Sequence, residues 1–480
     1  MQFCRFFPKK VYIRLDRCKV LMYTQIHLNY KVLDMSDIKE RYDIVIVGTG
    51  VAGLNCALNL PKDKSVLVIC KKTPEESDSY LAQGGICRLR SEDDFEEYFN
   101  DTMRAGHNEN DPAAVECMIR GSQGIIDDLI EIGVDFARNA DGSLAYTREG
   151  GHTSPRICYH EDCTGKEITT KLFSKVSTLK NVHIRPNTVM LDIIEDGEKC
   201  LGLVVYDVEE RAVKKVYADY TVLAAGGIGG AFSNTTNFRV VSGDAVAIAL
   251  RHGVEVKDIN YIQVHPTSLY TKKRGRRFLI SESVRGEGAH LLDKNFQRFT
   301  DELQPRDVVK DAVLAQMKKD GTDFVWLDMR PVPKDELASH FKQIVAKCRE
   351  EGYDVFREPI PVVPAIHYFM GGVKSDLNGR TSMQRLYAVG ETCCNGVHGR
   401  NRLASNSLLE SLLFAKRAAQ DIASAYTPLD ERDFTAVAVD GEKYSDYKKI
   451  LETYKKDLHN AMHIADTGED VNKKFRGKKL

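Results

Sequence analysis

Residues 42–53 read Tyr42-Asp43-Ile44-Val45-Ile46-Val47-Gly48-Thr49-Gly50-Val51-Ala52-Gly53, and Leu54-Asn55-Cys56-Ala57-Leu58-Asn59-Leu60 follows directly. The apolar run up to Val47 is that of a strand buried on both faces. It passes into Gly-x-Gly-x-x-Gly, and the residues beyond open an apolar helix. A second buried run, Ser65-Val66-Leu67-Val68-Ile69-Cys70, comes next. Strand, glycine turn, helix and strand form the context in which this spacing binds a dinucleotide. Gly48 permits the tight turn, Gly50 lets the backbone approach a pyrophosphate, and Gly53 lets the helix pack on the strand. The helix N-terminus then offers N–H groups and partial positive charge to the phosphates.

A nicotinamide site places Asp or Glu at the end of the second strand, where this chain has Lys71-Lys72. That counts against NAD and leaves FAD with a different ribose contact. Three distant segments also point to FAD. Ala82-Gln83-Gly84-Gly85-Ile86 is a small-residue turn that can lie against a flat ring. Tyr220 to Leu223 is a strand that runs through Ala224-Ala225 into the glycine cluster Gly226-Gly227-Ile228-Gly229-Gly230, and Leu386 to Glu391 is a strand ending in Gly-Glu. A dinucleotide reached from all of them bridges the fold lengthwise. Asn406-Ser407-Leu408-Leu409-Glu410 opens another helix, whose N-terminal partial charge would favour hydride acceptance at the flavin pyrimidine end.

The 480 residues carry 68 Lys+Arg against 69 Asp+Glu, a formal charge of −1. This balance excludes a nucleic-acid-binding surface as the main function. No apolar run approaches the roughly 20 residues needed to span a bilayer. The 12 Cys follow no disulfide framework and no secretory leader precedes them, so they read as reduced thiols of a cytoplasmic protein. Cys158-x-His160-x-x-Cys163 lacks a second pair at zinc spacing and is not read as a metal site. Residues 1–34 are basic and carry no regular pattern. They read as sequence upstream of a start at Met35, so that 1–40 is an extension, disordered or not native. Tyr447, Ile450, Leu451, Tyr454 and Leu458 recur at helical spacing, followed by a basic tail from Lys473 that is expected to fray.

In order along the chain stand Gly48-x-Gly50-x-x-Gly53, Ala82-Gln83-Gly84-Gly85, Thr147-Arg148-Glu149-Gly150-Gly151-His152, His265-Pro266-Thr267, Ser281-Glu282 with Arg285-Gly286-Glu287-Gly288, Pro305-Arg306-Asp307, His367-Tyr368-x-x-Gly371-Gly372 and Asn401-Arg402-Leu403-Ala404-Ser405-Asn406-Ser407. By these motifs the chain resembles the succinate dehydrogenase and fumarate reductase flavoprotein family from about Tyr42 to about Tyr426, and most resembles its amino-acid-oxidising branch. The resemblance implies FAD contacts at Thr49, Gly50, Val51, Ala52, Lys71, the turn through Gly85, Asp244, Glu391, Ser407 and Leu408. Respiratory members attach flavin to a His five residues before the Gln of Ala-Gln-Gly-Gly. Here that position is Asp78, so noncovalent FAD is expected.

A C4 dicarboxylate needs fixed positive or donor groups at both ends. The resemblance places His265, Ser281 and Glu282 toward one carboxylate and His367 with Arg402 toward the other. It makes Arg306 the group that moves a proton over the substrate. An Arg ordinarily keeps its proton, so this role needs a relay, for which Glu282 and Arg285 are near in sequence. Glu149 stands where the respiratory enzymes carry Gln. A buried carboxylate in a dianion site makes sense when the substrate brings a cation, as the α-ammonium of L-aspartate does. The implied reaction is hydride transfer from L-aspartate to flavin N5, giving iminoaspartate, with reoxidation by oxygen or fumarate. Quinolinate synthase is the implied partner, on the route to NAD. The alternative reading is a soluble fumarate reductase or succinate dehydrogenase flavoprotein subunit, against which Glu149 and Asp78 argue.

The expected fold is α/β: a doubly wound, Rossmann-like FAD-binding domain with a parallel sheet and helices on both faces, running over 41–258 and 368–428. An α+β capping domain would be inserted at 259–367, and 429–480 would form a reduced C-terminal helical segment where relatives carry a longer helical domain.

Overall fold

The computed structural model describes residues 41–273, 275–430, 433 and 442–475. The expectations for 1–40 lie outside these residues. The stretch Tyr42–Val47 forms most of the strand Arg41–Val47, which pairs in parallel with Val66–Ile69 on one side and Ala212–Leu223 on the other. Val182–Arg185 and Leu386–Ala388 extend the parallel set at its two edges. Period-two alternation decides what each face buries. Ile44, Ile46, Val66 and Val68 join one apolar cluster with the helices Val51–Asn59, Pro112–Glu131, Thr164–Val176 and Asn406–Ser424. Val45, Val47, Leu67 and Ile69 join another.

The sheet differs from the expected all-parallel form. Thr188–Glu195 and Cys200–Asp207 add antiparallel strands beside the first half of Ala212–Leu223. Their buried residues share the cluster of Val45 and Leu67, so this meander covers the second face together with the helix Asp244–Arg251. Asp196-Gly197 between two apolar runs is the hairpin signal, and Gly197 takes φ +106°.

At the glycine turn the backbone itself sets the residue type. Gly48 has φ +121°, and a Cβ there would collide with Ala224 O. A Cβ at Gly53 would collide with Gly48 O. Helix, turn and third strand therefore close on one another only without side chains at these two positions.

A four-stranded antiparallel sheet, in the order Ile262–Leu269, Ile360–Phe369, Val325–Asp328, His290–Leu292, packs with the helices Arg306–Asp320 and Lys342–Glu350 around its own core of residues between Leu269 and Val362. Its first two strands contribute His265, His367 and Tyr368 to one wall of a cleft. Among the described residues no helix is long and apolar enough to cross a membrane.

The helix expected near the C-terminus spans Tyr447–Asp466 and buries Ile450, Tyr454, Leu458 and Ala461. The basic tail does not fray where expected. Val471–Phe475 is helical because Val471 and Phe475 insert into the core, while 476–480 lie outside the described residues. The meander is tied to this segment by Asp192, which accepts from Tyr444 Oη at 2.7 Å and pairs with His252 Nε2 at 2.5 Å. His252 Nδ1 is 3.5 Å from Glu195. Burial alone would lower the His252 pKa, but the bonds to Asp192 and Glu195 outweigh it and raise it. Its stabilisation is therefore full below the unfolded value near 6.5 and is lost as pH rises through the raised folded value. His252→Gln should cost about 1.5–3 kcal/mol at acid-to-neutral pH, with the gap to wild type narrowing as pH rises. Urea unfolding at both ends of that range measures it, and a pH-independent gap would refute the charged pair.

Candidate active site

The cleft runs from the glycine turn, along the Ala82–Gly85 turn, to the wall made by the antiparallel sheet. At its first end the helix Val51–Asn59 begins after Gly50, which offers no side-chain cap; Val51 N donates to Ser79 Oγ at 3.2 Å. Gly48, Thr49, Gly50 and Ala52 line the cleft; Val51 and Gly53 do not. Val51 is core, and Gly53 serves the helix–strand contact. Lys71 Nζ pairs with Asp244 and donates to Val240 O at 2.8 Å and Ser242 Oγ at 3.0 Å. The carboxylate that dinucleotide sites place at the second strand's end thus comes here from Asp244, at the start of another helix.

Farther along, Ala82, Gln83, Gly84 and Gly85 line the cleft together with Glu391, Ser407 and Leu408. Gln83 Oε1 is buried without a hydrogen-bond partner, a polar atom that a bound ligand would satisfy. The helix Asn406–Ser424 also starts without a side-chain cap. Two uncapped helix ends, a glycine-lined turn and an orphaned amide oxygen fit FAD. Burial holds the Glu391 carboxyl well above the ordinary range, with Asp78 adding to it; its Oε1 accepts from Phe369 N at 2.9 Å. Asp78 accepts from Phe238 N at 2.8 Å and Asn237 Nδ2 at 2.7 Å, and burial lifts its pKa to about 6.

The other end brings together residues from both units. Arg306 is the first residue of its helix after Pro305 and donates from Nε to Glu282 Oε2 at 2.5 Å. Arg402 lies in the loop before Asn406 with its guanidinium 4.5 Å from the Tyr368 ring. Gln263 joins the two: its Oε1 accepts from Arg306 Nη1 at 2.8 Å and from Arg402 Nη2 at 3.1 Å. Gln263 Nε2 donates to Asn401 Oδ1 and to Arg402 O, which fixes the amide. Burial and the Arg306 charge lower the Arg402 pKa to about 10, leaving it charged at neutral pH. Glu282 is 2% exposed. Burial would raise its pKa, but Arg306 and Arg285 pull it below the ordinary value. Arg285 Nη2 stands 3.4 Å from Glu282 Oε1, an ion pair without a hydrogen bond, beside the hydrogen-bonded pair of Arg306 and Glu282.

His265 and His367 face each other with ring centroids 5.2 Å apart. Burial, reinforced by Arg306, holds both well below the ordinary imidazole value, so they are neutral. His367 Nδ1 is 2.8 Å from Thr236 Oγ1, whereas His265 Nε2 is buried with no partner. Arg402 Nε is likewise buried and unpartnered. Ser281 lines the cleft, but its hydroxyl caps the short helix Glu282–Gly286 by accepting from Ser283 N at 3.3 Å. Glu149 is 3% exposed and accepts from Ser283 Oγ at 2.8 Å and Ser405 Oγ at 2.6 Å.

The sequence reading missed Gln263, Ser283 and Ser405. Each lies within two residues of a motif residue it had singled out, and that proximity was the available signal. Cys158, His160 and Cys163 do not converge, and His160 Nδ1 is instead 2.5 Å from Asp135 O.

A family model described as "FAD binding domain" matches residues 43–408. The chain is 46% identical over 387 residues to an L-aspartate oxidase of Clostridium perfringens, covering 80% of this chain and 88% of that one. It is 45% identical over 381 residues to an L-aspartate oxidase of Clostridium acetobutylicum, covering 79% and 87%. Among solved structures, a mutant of the E. coli quinol fumarate reductase FrdA matches with a TM-score of 0.75 at 30% identity, over 87% of this chain and 74% of that chain.

Because Asp78 offers a carboxylate engaged with Phe238 and Asn237 rather than an imidazole, acid precipitation of the yellow holoprotein should release the flavin into the supernatant. Colour that stays with the pellet would overturn noncovalent attachment.

Proposed function

The chain belongs to the FAD-binding flavoproteins and, within them, to the L-aspartate oxidase family; from that premise we propose that its cleft oxidises L-aspartate to iminoaspartate. The Cα–H bond breaks with its electron pair leaving as hydride, a C=N bond forms, and the amine loses protons. FAD, when bound, supplies the two-electron acceptor. The observation that carries this reading is Glu149, a buried carboxylate in the same cleft as the guanidiniums of Arg306 and Arg402.

Arg402, with its free Nε, and His367 would hold one substrate carboxylate; the unpartnered His265 Nε2 and the short helix after Ser281 would meet the other. Two oxygens of Glu149 each hold one serine hydroxyl, which leaves lone pairs for an ammonium. Glu149 would bind that ammonium and take a proton from it, because an ammonium has no lone pair to support the departing hydride. Arg306 would neutralise charge over the substrate. Glu282, hydrogen-bonded to Arg306 with the Arg285 charge beside it, would return a proton to Arg306 in the reverse direction, the reduction of fumarate. Thr49, Gly50 and Ala52 with the uncapped helix end would hold the FAD pyrophosphate, Asp244 and Lys71 its adenosine end, and Gln83 to Gly85, Glu391, Ser407 and Leu408 its flavin end.

The proposal extends to the division of the chain. Residues 41–258 with 368–428 would form the FAD-binding domain and 259–367 a cap that excludes water; the separate apolar core between Leu269 and Val362 supports this. Oxygen or fumarate would reoxidise the flavin. Iminoaspartate hydrolyses readily, which calls for a consuming enzyme, and quinolinate synthase in a cytoplasmic route to NAD fits. A second reading, a soluble fumarate reductase flavoprotein, draws on the likeness to the fumarate reductase fold; Glu149 speaks against it.

Glu149→Gln should lower kcat/KM for L-aspartate by about 100-fold or more while fumarate reduction falls by less than about 10-fold. Equal losses in the two assays would remove Glu149 from the ammonium site. Arg306→Lys should retain FAD and lose turnover by about 100-fold; wild-type turnover in that variant would exclude Arg306 from the reaction.

A further inference from the structure

A second buried charge cluster lies behind the Glu149 loop. Arg156 is 0% exposed. It donates to Asp94 Oδ1 from Nε and Nη2 at 3.3 and 3.0 Å, and from Nη1 to Asp101 Oδ2 at 2.7 Å. The same Nη1 stands 3.1 Å from His152 Nδ1. A guanidinium nitrogen only donates, so His152 Nδ1 must accept and the ring proton sits on Nε2. His152 Nε2 then donates to Ala404 O at 3.0 Å. Burial, with the Arg156 charge, keeps His152 neutral by lowering its pKa to about 4. The next residue, Ser405, has φ +61°, a left-handed conformation that costs a non-glycine residue about 1–3 kcal/mol and needs external support. Ser405 Oγ is the group that donates to Glu149. The loop closes on itself, because His152 N donates back to Glu149 O at 3.3 Å.

We propose that His152 is a positioning residue that acts through Ala404 and Ser405 to fix the Glu149 carboxylate for the amino group of the substrate. This rests on the reading of Glu149 given above and adds to it the part of the chain that sets its orientation. Asp94, Asp101 and Arg156 do not touch the cleft; they set the tautomer of His152. His152 holds the carbonyl of Ala404, Ala404 holds Ser405 in its left-handed turn, and Ser405 aims one oxygen of Glu149. The role concerns the amino group only, so a substrate without one should not sense the change.

The test compares His152→Phe, which keeps a planar, slightly larger ring and loses both hydrogen bonds, with His152→Gln, whose amide can donate and accept. Glu149→Gln and the double variants complete a cycle in the FAD-loaded enzyme. The assays are L-aspartate oxidation with oxygen and fumarate reduction with a reduced dye, beside flavin content and Tm. His152→Phe should lower kcat/KM for aspartate about 10- to 100-fold, the usual range for outer hydrogen-bond partners. Fumarate reduction should stay within about threefold, and His152→Gln should recover most of the loss. In the Glu149→Gln background the His152 substitution should have no further effect on aspartate. Equal losses in both reactions, or a full additive loss in the double variant, overturn the proposal. Should His152→Phe fail to retain flavin, His152→Leu, which also loses both hydrogen bonds, carries the same cycle, where a selective, non-additive loss supports the proposal and an additive one overturns it. Glu149→Gln alone with equal losses overturns the reading of Glu149, an outcome distinct from failure of His152.

Discussion

Two buried guanidiniums, Arg306 and Arg402, share one amide oxygen, Gln263 Oε1. Unit charges about 4 Å apart repel by about 4 kcal/mol at an effective dielectric near 20. Such a pair persists only where fixed acceptors and anions surround it. Glu282 is bound to Arg306, the Tyr368 ring lies under Arg402, and the Gln263 amide is locked by Asn401 and the Arg402 carbonyl. The remaining positive potential is what a dicarboxylate substrate would neutralise. His265 and His367 stay neutral chiefly because burial disfavours their charged forms, and the Arg306 charge reinforces it.

This constraint explains why the site lies at the seam between the two apolar cores. Gln263 and Arg306 belong to the antiparallel unit, and Arg402 to the loop that enters the long helix of the FAD-type unit. Neither unit holds the pair alone. The same loop carries Ser405, so the element that presents Arg402 also aims Glu149. Arg402 and the serine that donates to Glu149 are thereby fixed to one short stretch, Arg402 to Ser405. The cluster of Arg156, Asp94 and Asp101 anchors the Ala404–Ser405 end of that stretch from behind through His152, while Gln263 and Tyr368 hold Arg402.

At the flavin end the structure relies on absence of side chains and caps. Gly48 and Gly53 let strand and helix close on one another, and the helix N-terminus after Gly50 carries no cap from Gly50 itself. Asp78 occupies the cleft with both oxygens engaged, tying the turn before Gln83 to Asn237, whose amide also holds the His367 carbonyl. Cofactor turn and substrate histidine are therefore mechanically linked.

Much of this was legible in the chain itself. Continuous apolar runs, glycine spacing and Lys71-Lys72 set the nucleotide fold and its cofactor class, because backbone sterics and burial act locally. Motif residues such as Glu149, Arg306 and Arg402 could be named, since their chemistry follows from residue type and order. Tertiary structure alone decided what joins them. Gln263 is an unremarked amide in a strand, Ser405 a serine before a helix, and His152 a histidine after two glycines. Their roles arise from contacts across 139, 256 and 252 residues of chain. No local pattern encodes such contacts, because they form only when two separately packed cores bring their edges together. The antiparallel meander came from the same source: its strands read as apolar runs, but which edge they pair with depends on the sheet already being there.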